Sequence, residues 1–339
     1  MPPIERANGH RPSGLLHLLD PTLKLAPHPK AEELSFDLEN ALAAVLRLSA
    51  EVPEEAFSAR TLGTERQGNA VKIHDDNFIL TIGYLVVDAS RIVLNGRGGQ
   101  EVEAELGGYS HETGMAIIHA LQPLDLPTLP MGSADDLEEN EPVIIAPYGN
   151  AQHAIAGTVA SRREFAGSWE YMLERAIFTT PIHPNWSGAA LIRSNGKLAG
   201  VGSLWVNDAE SGKKDSQGNM FVPIDLLQPI YDDLISLGRA QGPMRPWLGM
   251  YTAEAMGRLF VSGTIPDGPS DSAGVEPGDL ITGINDETAS SLTEMYRLIW
   301  SAGEAGVEIV INLRRDGEDI DISVTSQSRY TFMDRRSRH

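Results

Sequence analysis

The stretch that decides the fold is residues 270–285, Ser-Asp-Ser-Ala-Gly-Val-Glu-Pro-Gly-Asp-Leu-Ile-Thr-Gly-Ile-Asn. It lies in a strand-rich block that runs from Arg245 to about Ser326. Within this block, apolar residues recur at three- and four-residue spacing over Leu292–Ile299, which predicts one helix. Two strands follow it, and they are joined by Asp316-Gly317, a dipeptide preferred in tight β-hairpin turns. The block is therefore predicted to be mainly β, with a single strong helix.

The composition of the whole chain is that of a globular protein. Its 339 residues, of which 41% are hydrophobic and 22% charged, suffice for about two domains of roughly 150 residues. The 27 basic and 47 acidic side chains give a formal net charge of −20. A surface of this sign repels phosphates and anionic lipid headgroups, so nucleic acid and membranes are not expected as partners.

Cysteine is absent from the sequence, which excludes disulfides, thiolate metal sites and a cysteine nucleophile. The spacing of two histidines on one helix face that a zinc site would need is not found either, so neither a metal nor a cofactor is predicted. The N-terminal residues contain no apolar run of signal-peptide length, and no run reaches the roughly 20 residues that span a bilayer. We therefore expect a cytoplasmic protein, although a lack of cysteine would also suit an exported one.

The first part of the chain alternates short apolar runs with turns. From about Gly68 to Val222, runs such as Phe78–Thr81 and Pro142–Ala146 follow one another at near-regular spacing, which favours antiparallel barrels or a sandwich. A helical pattern precedes them over Glu32–Leu48, with Ser35 or Asp37 as candidate caps, and Leu226–Leu237 is predicted as a closing helix. The predicted organisation has five parts: a flexible arm plus a helix (1–60), a first β domain (61–238), a linker (239–244), a second domain (245–326) and a basic tail (327–339).

The order of motifs resembles that of the HtrA family, trypsin-like serine proteases that carry a PDZ domain. The stretch 270–285 is similar to the family segment S-x-A-A-G-L-x-x-G-D-x-I-x-x-I-N, and 245–250, Arg-Pro-Trp-Leu-Gly-Met, is similar to the carboxylate-binding loop of its PDZ domain. The resemblance covers roughly residues 60–326. It implies a mainly β fold, with a two-barrel, trypsin-like (chymotrypsin-fold) domain followed by a PDZ domain.

The resemblance also implies a peptide-binding groove in the second domain. A tight loop with converging backbone N–H groups can bind the carboxylate of a peptide C-terminus, while the peptide adds as a strand beside Met250-Tyr251-Thr252. The expected partners are protein C-termini or extended peptides. The residues implied for the carboxylate loop and the side-chain pocket are Trp247, Leu248, Gly249, Met250, Met295, Leu298 and Ile299.

The protease half resembles the family in layout but departs from it in chemistry. Ser187, in Asn-Trp-Ser-Gly-Ala, matches the nucleophile, whereas Tyr84 stands at the histidine position and Gly114 at the aspartate position. A phenol is neutral at pH 7 and glycine has no side chain, so the base and the group that orients it are both missing. Asn185 also replaces a family glycine in the oxyanion loop. We therefore expect a pseudoprotease that acts as a peptide-binding scaffold.

Two alternatives remain open at this point. Ser187 could act as the nucleophile of an endopeptidase with a non-standard base, such as Tyr84, His183, His111 or His119. The protein could instead be a structural subunit whose PDZ groove is occupied by its own chain. The resemblance further implies an oligomer, commonly a trimer.

Overall fold

The computed structural model describes residues 27–213 and 215–336. Residues 1–26 of the predicted arm and the last three residues of the predicted tail lie outside the described residues. The chain divides into two units, of which one comprises the residues up to Arg163 together with Arg175–Gln241. The other unit comprises Glu164–Glu174 together with the residues from Gly242 onward, so it takes an internal segment from the middle of the chain.

The first unit contains two closed six-stranded barrels. The strands of the first barrel are β1 (Val45–Glu51), β2 (Glu65–Lys72), β3 (Phe78–Ile82), β4 (Arg91–Asn95), β5 (Glu101–Tyr109) and β6 (Met115–Ala120). They pair in the order β1-β2-β3-β6-β5-β4. Closing the sheet leaves no unpaired edge, and residues such as Leu48, Leu80 and Ile117 are fully buried.

The second barrel repeats this topology. Its strands are β7 (Pro142–Ala146), β8 (Ile155–Gly167), β9 (Tyr171–Thr180), β10 (Ala190–Arg193), β11 (Leu198–Val206) and β12 (Gly218–Pro223). They pair in the order β10-β11-β12-β9-β8-β7 around an apolar core that includes Ile145, Ile177 and Phe221. The two barrels confirm the predicted mainly β class.

Helices in the first unit are short, and one prediction about them is wrong. They are α1 (Leu38–Ala43), α2 (Ala59–Leu62) and α3 (Tyr231–Leu237). Asp37 caps α1 by accepting the backbone N–H of Asn40 at 3.1 Å. The helix predicted over Glu32–Leu48 ends early because Val45 begins β1, where pairing with β2 and β4 outweighs the helical spacing of the leucines. The closing helix is likewise shorter than predicted, and 3₁₀ turns precede it.

The second unit is built on one antiparallel sheet. Its strands are β13 (Met250–Ala255), β14 (Arg258–Thr264), β15 (Leu280–Ile284), β16 (Glu287–Thr288), β17 (Glu308–Arg315) and β18 (Glu318–Thr325). The main order is β13-β14-β15-β17-β18, and β16 pairs only with β15. The predicted hairpin turn is present, and Asp316 and Gly317 both have positive φ, as a type I′ turn requires.

Three helices complete this unit: α4 (Pro269–Ala273), α5 (Leu292–Ser301) and α6 (Arg329–Arg336). The predicted helix is α5, which begins at a Ser291 cap and buries Met295, Tyr296 and Ile299 against the sheet. The chain predicted as a basic tail instead forms α6 over Arg329–Arg336, and the Phe332 ring lies 4.9 Å from that of Trp247. None of the helices in the described ranges is long and apolar enough to cross a membrane. The exact boundaries given above for the five parts stay predictions.

Candidate functional site

Ser187 and Tyr84 meet in the first unit. Ser187 lies in the loop between β9 and β10, and Tyr84 lies in the 3₁₀ turn that follows β3. The Ser187 Oγ is 2.8 Å from the Tyr84 phenol oxygen, and that phenol donates to the carbonyl of Ser203, also at 2.8 Å. Because the phenol has one proton and gives it to Ser203, it accepts the Ser187 hydroxyl proton rather than donating to it. Ser187 is only 5% exposed, and burial raises the pKa of Tyr84 above its ordinary value.

Gly114 contacts the turn that carries Tyr84 through a backbone hydrogen bond. Its carbonyl accepts the N–H of Gly83, the residue before Tyr84, at 2.7 Å. Gly114 has a φ of +76°, a conformation that glycine adopts without steric cost. The three residues that the resemblance matched to a catalytic triad are thus brought together, but only two of them have a side chain.

Asn69 on β2, a residue that was not predicted, holds the loop that carries Ser187. Its Nδ2 donates to the carbonyls of Asn185 and Ser187 at 3.1 and 2.8 Å, and its Oδ1 accepts the N–H of Tyr148 at 2.8 Å. The Asn69 N–H donates to the Ser187 carbonyl as well, also at 2.8 Å. The sequence signals it only as an amide placed directly before the apolar pair Ala70-Val71.

The backbone N–H of Asn185 is already engaged. In serine proteases of this fold, the N–H of the residue two before the nucleophile is one donor of the oxyanion hole. Here the Asn185 N–H donates to Nδ1 of His183 at 3.0 Å. A donor engaged by an internal acceptor does not point at a developing oxyanion, so the loop lacks one of its two expected donors.

His183 is a buried structural residue rather than a base for Ser187. Its Nε2 lies 2.7 Å from the carbonyl of His153 and its Nδ1 accepts from Asn185, which fixes the neutral tautomer with the proton on Nε2. Burial lowers the pKa of His183 to about 4. The other candidate bases have partners elsewhere, since His119 lies 3.4 Å from Glu105 and the His111 ring packs edge-on against Tyr109.

We expect His183 to make the protein less stable in acid. The ordinary pKa of 6.5 applies in the unfolded chain and a pKa of about 4 in the folded one, so below pH 6.5 the unfolded chain binds a proton that the folded chain does not. The free energy of unfolding should therefore fall by about 3 kcal/mol in total as the pH drops through this window. Urea unfolding at several pH values checks this, with His183→Gln as the non-titrating control. Parallel pH profiles of the two proteins would contradict the assignment.

The loop predicted to bind a carboxylate in the second unit does hold one. The N–H of Leu248 donates to Oε2 of Glu170 at 2.9 Å, and those of Gly249 and Met250 donate to Oε1 at 2.7 and 3.1 Å. Gly249 has a φ of +72°, and a Cβ there would lie 3.1 Å from the Trp247 ring, so the loop needs glycine. Glu170 belongs to the same unit, within Glu164–Glu174.

The environment of the Glu170 carboxylate is buried and polar. Glu170 is 7% exposed, and burial raises the pKa of its carboxyl group. The three N–H donors and the guanidinium of Arg329 oppose this rise. Neither Glu170 nor Arg329 was predicted, because nothing in the local sequence connects residue 170 with a loop about 80 positions away along the chain.

The other residues predicted for the groove do not contact the Glu170 carboxylate through hydrogen bonds. Trp247 pairs through its backbone with Gln327 and donates nothing to the carboxylate. Met295 and Ile299 are fully buried in the core of the unit, while Leu298 is only partly buried against it. Tyr296, which was not predicted, extends its hydroxyl group to the backbone of the segment that contains Glu170.

Comparison with known families agrees with these two units. Residues 68–201 match the trypsin-like peptidase domain, and residues 246–325 match the PDZ domain. The chain thus contains a trypsin-like peptidase domain followed by a PDZ domain. This is the HtrA-like arrangement that the sequence motifs indicated, and the predicted fold class is confirmed.

Curated relatives match the chain over most of its length. The chain is 25% identical over 291 residues to a probable periplasmic serine protease, do/HhoA-like, of Haemophilus influenzae, covering 81% of this chain and 60% of that protein. It is 26% identical over 277 residues to the periplasmic pH-dependent serine endoprotease DegQ of Escherichia coli, covering 77% of this chain and 59% of that protein. The chain therefore spans about 60% of the length of these curated relatives.

Solved structures show the same fold. The HtrA-type protease AlgW with a decapeptide superposes with a TM-score of 0.52 at 21% identity, covering 87% of this chain and 99% of that one. A serine endoprotease from Yersinia pestis superposes with a TM-score of 0.50 at 22% identity, covering 87% of this chain and 98% of that one.

The prediction of a cytoplasmic protein is wrong on this comparison. The relatives from Haemophilus influenzae, Halomonas elongata and Escherichia coli are all named periplasmic. Composition did not reveal this, because an acidic surface and a lack of cysteine suit a folded protein in either compartment.

Proposed function

We propose that the protein is an HtrA-like pseudoprotease, in which the trypsin-like domain keeps its fold without peptide hydrolysis and the PDZ domain binds protein C-termini. The observation that carries this proposal is the hydrogen bond between Ser187 Oγ and the Tyr84 phenol. A neutral phenol whose own proton is donated to a carbonyl does not remove the proton of a serine hydroxyl.

The surroundings of Ser187 support the same conclusion. Gly114 has no carboxylate with which to stabilise a charged base, and the Asn185 N–H is bound to His183. When a triad is lost as a unit, turnover falls by about a million-fold. The alternative of an endopeptidase with a substitute base is weakened, because both ring nitrogens of His183 are engaged, Nε2 by the His153 carbonyl and Nδ1 by the Asn185 N–H.

The binding half of the proposal is supported by the loop of Leu248, Gly249 and Met250. Three backbone N–H groups converge on two carboxylate oxygens, which is how a backbone loop recognises a peptide C-terminus. One similar structure, the protease AlgW, was solved with a decapeptide. The trimeric assembly implied by the resemblance stays a prediction.

Labelling with a fluorophosphonate probe tests the loss of catalysis. The purified protein and its Ser187→Ala variant should give equal background labelling between about pH 6 and pH 9, because the hydroxyl is not activated at either limit. An active trypsin-like protease serves as the positive control for the probe. The substitution keeps the bond from Tyr84 to Ser203, so the variant should fold. Labelling of the parent protein that disappears in the variant would contradict the proposal.

A further inference from the structure

The segment Glu164–Glu174 lies in the PDZ groove of its own chain. Its Glu170 side chain supplies the carboxylate that the loop of Leu248, Gly249 and Met250 binds. The N–H of Thr252 on β13 donates to the carbonyl of Ser168 at 2.9 Å. Met250 thus faces Glu170, and Thr252, two residues later on β13, faces Ser168, two residues earlier in the segment. This is the register of an antiparallel ladder. A peptide added beside β13 would place its C-terminal residue at the level of Glu170.

The backbone turns at the point where a bound peptide would end. Glu170 has a φ of +56°, in the left-handed region that non-glycine residues rarely adopt. The turn lets the chain leave the groove and continue into β9, while the side chain reaches the loop in place of a terminal carboxylate. A non-glycine residue in this region bears a steric cost, which the three charge-assisted hydrogen bonds of the Glu170 carboxylate offset.

The tip of the segment is held by Tyr296 on α5. Its hydroxyl donates to the carbonyl of Gly167 at 2.6 Å and accepts the N–H of Glu170 at 3.1 Å. At Gly167 a Cβ would lie 2.7 Å from the Trp169 ring, so a larger residue here would displace that ring. The tyrosine therefore hydrogen-bonds one backbone acceptor and one backbone donor of the turn.

Further contacts extend along the segment. Glu164 forms an ion pair with Arg297 on α5, and Arg329 on α6 donates to the carbonyl of Trp169 at 3.3 Å. Ala166 and Met172 pack against the apolar core of the PDZ unit. Polar and apolar contacts from β13, α5 and α6 all fall on this one segment.

We propose that residues 164–174 are an intramolecular ligand that closes the PDZ groove, and that a protein with a free C-terminal carboxylate binds only by displacing them. This rests on the proposed function, since it regulates the same carboxylate site. A tethered ligand acts at an effective concentration in the millimolar range. The apparent dissociation constant for a free peptide rises in inverse proportion to the fraction of molecules whose groove is open.

Two measurements on the full-length protein test the proposal, using Glu170→Gln with Glu174→Gln as the matched control. The first substitution keeps the size of the side chain but removes its charge, whereas Glu174 is exposed on the same segment. The first measurement is hydrogen exchange of the amides of Leu248, Gly249 and Met250. The second is fluorescence anisotropy with labelled decapeptides that end in an apolar residue, each as a free carboxylate and as a C-terminal amide.

We expect exchange at the three amides to speed up at least about tenfold in Glu170→Gln and not in Glu174→Gln. Carboxylate peptides should bind Glu170→Gln at least about tenfold more tightly than the parent protein, and amidated peptides should bind neither. Tyr296→Phe, which keeps the ring stacked on Trp300, should shift both measurements in the same direction. It serves as the second variant if Glu170→Gln does not fold.

The outcomes separate this proposal from the proposed function. If the exchange rates of the three amides are the same in Glu170→Gln and Tyr296→Phe as in the parent protein, the segment is not docked, whatever the peptides do. Equal peptide affinity of the parent protein and Glu170→Gln would overturn the displacement. Faster exchange without binding of any carboxylate peptide would overturn displacement because the proposed peptide-binding function itself fails, while the docked segment is retained.

Discussion

Replacing Arg66 by methionine is expected to lower the free energy of unfolding by about 4 kcal/mol, because each buried acceptor that loses its donor costs about 1–3 kcal/mol. Arg66 is 1% exposed on β2, and burial lowers the pKa of its guanidinium to about 10. Its Nη1 donates to the carbonyls of Tyr84 and Val87 at 2.9 and 2.8 Å, and its Nη2 donates to Ser58 Oγ at 2.7 Å. Methionine would fill most of the volume but remove the guanidinium donor from the Tyr84 carbonyl and Ser58 Oγ, and would leave the Val87 carbonyl only the 3.4 Å bond from Ser58.

Urea unfolding of Arg66→Met checks this, with Arg47→Met on the exposed face of the neighbouring strand β1 as the matched control. Within residues 27–213 and 215–336, Arg47 donates to the Gln67 side chain at the surface, so its loss should cost less than about 1 kcal/mol. Equal stability of the two variants would contradict the buried network. Because Arg66 also holds the carbonyl of Tyr84, the same variant should loosen the turn that places the phenol on Ser187.

The elements that local sequence predicts well are those with strong periodicity or special turns. The helix α5 was predicted from apolar spacing over Leu292–Ile299, and the β17–β18 turn from Asp316-Gly317. The helix predicted from Glu32 was wrong beyond Ala43, since long-range pairing of β1 decides the conformation of Val45–Leu48. Periodicity reports a buried face, but the partner strand determines whether that face is helical or extended.

The candidate sites divide in the same way. The residues at the triad positions and the carboxylate loop follow from local motifs, and the structure brings each set together. The partners of these groups could not be predicted from local motifs. Glu170, His183 and Asn69 each contact residues that are distant along the chain. No rule of local spacing pairs an internal glutamate with a loop that recognises chain ends.

One physical theme links the two sites. In each, groups that a protease or a free PDZ domain would turn toward a ligand are satisfied by the chain itself. The Ser187 hydroxyl is bound by Tyr84, the Asn185 N–H by His183, and the three loop N–H groups by Glu170. Satisfying buried polar groups internally stabilises the folded chain, at the expense of the binding or catalysis that those groups would support.

Replacing Asn69 by alanine is expected to cost about 3 kcal/mol of unfolding free energy, because it removes the three hydrogen bonds of a buried side-chain amide, each worth about 1 kcal/mol. Asn69 is 5% exposed, and its side chain accepts the N–H of Tyr148 and donates to the carbonyl of Asn185. The Ser187 carbonyl keeps the backbone N–H of residue 69, so it retains a donor in the variant. Asn69 bonds the Tyr148 N–H and the Asn185 carbonyl through its side chain and not through its backbone. Both of these bonds are therefore lost in the variant.

The measurement is urea unfolding, combined with hydrogen exchange of the Tyr148 amide. The control is Asn95→Ala, which removes one amide bond to the exposed Glu101 side chain and should cost less than about 1 kcal/mol. Faster exchange at Tyr148 in Asn69→Ala alone would show that the lost stability lies at the loop carrying Ser187. If both alanine variants unfold within about 0.5 kcal/mol of each other, Asn69 does not hold that loop, and the burial of Ser187 against Tyr84 must depend on the barrel strands instead.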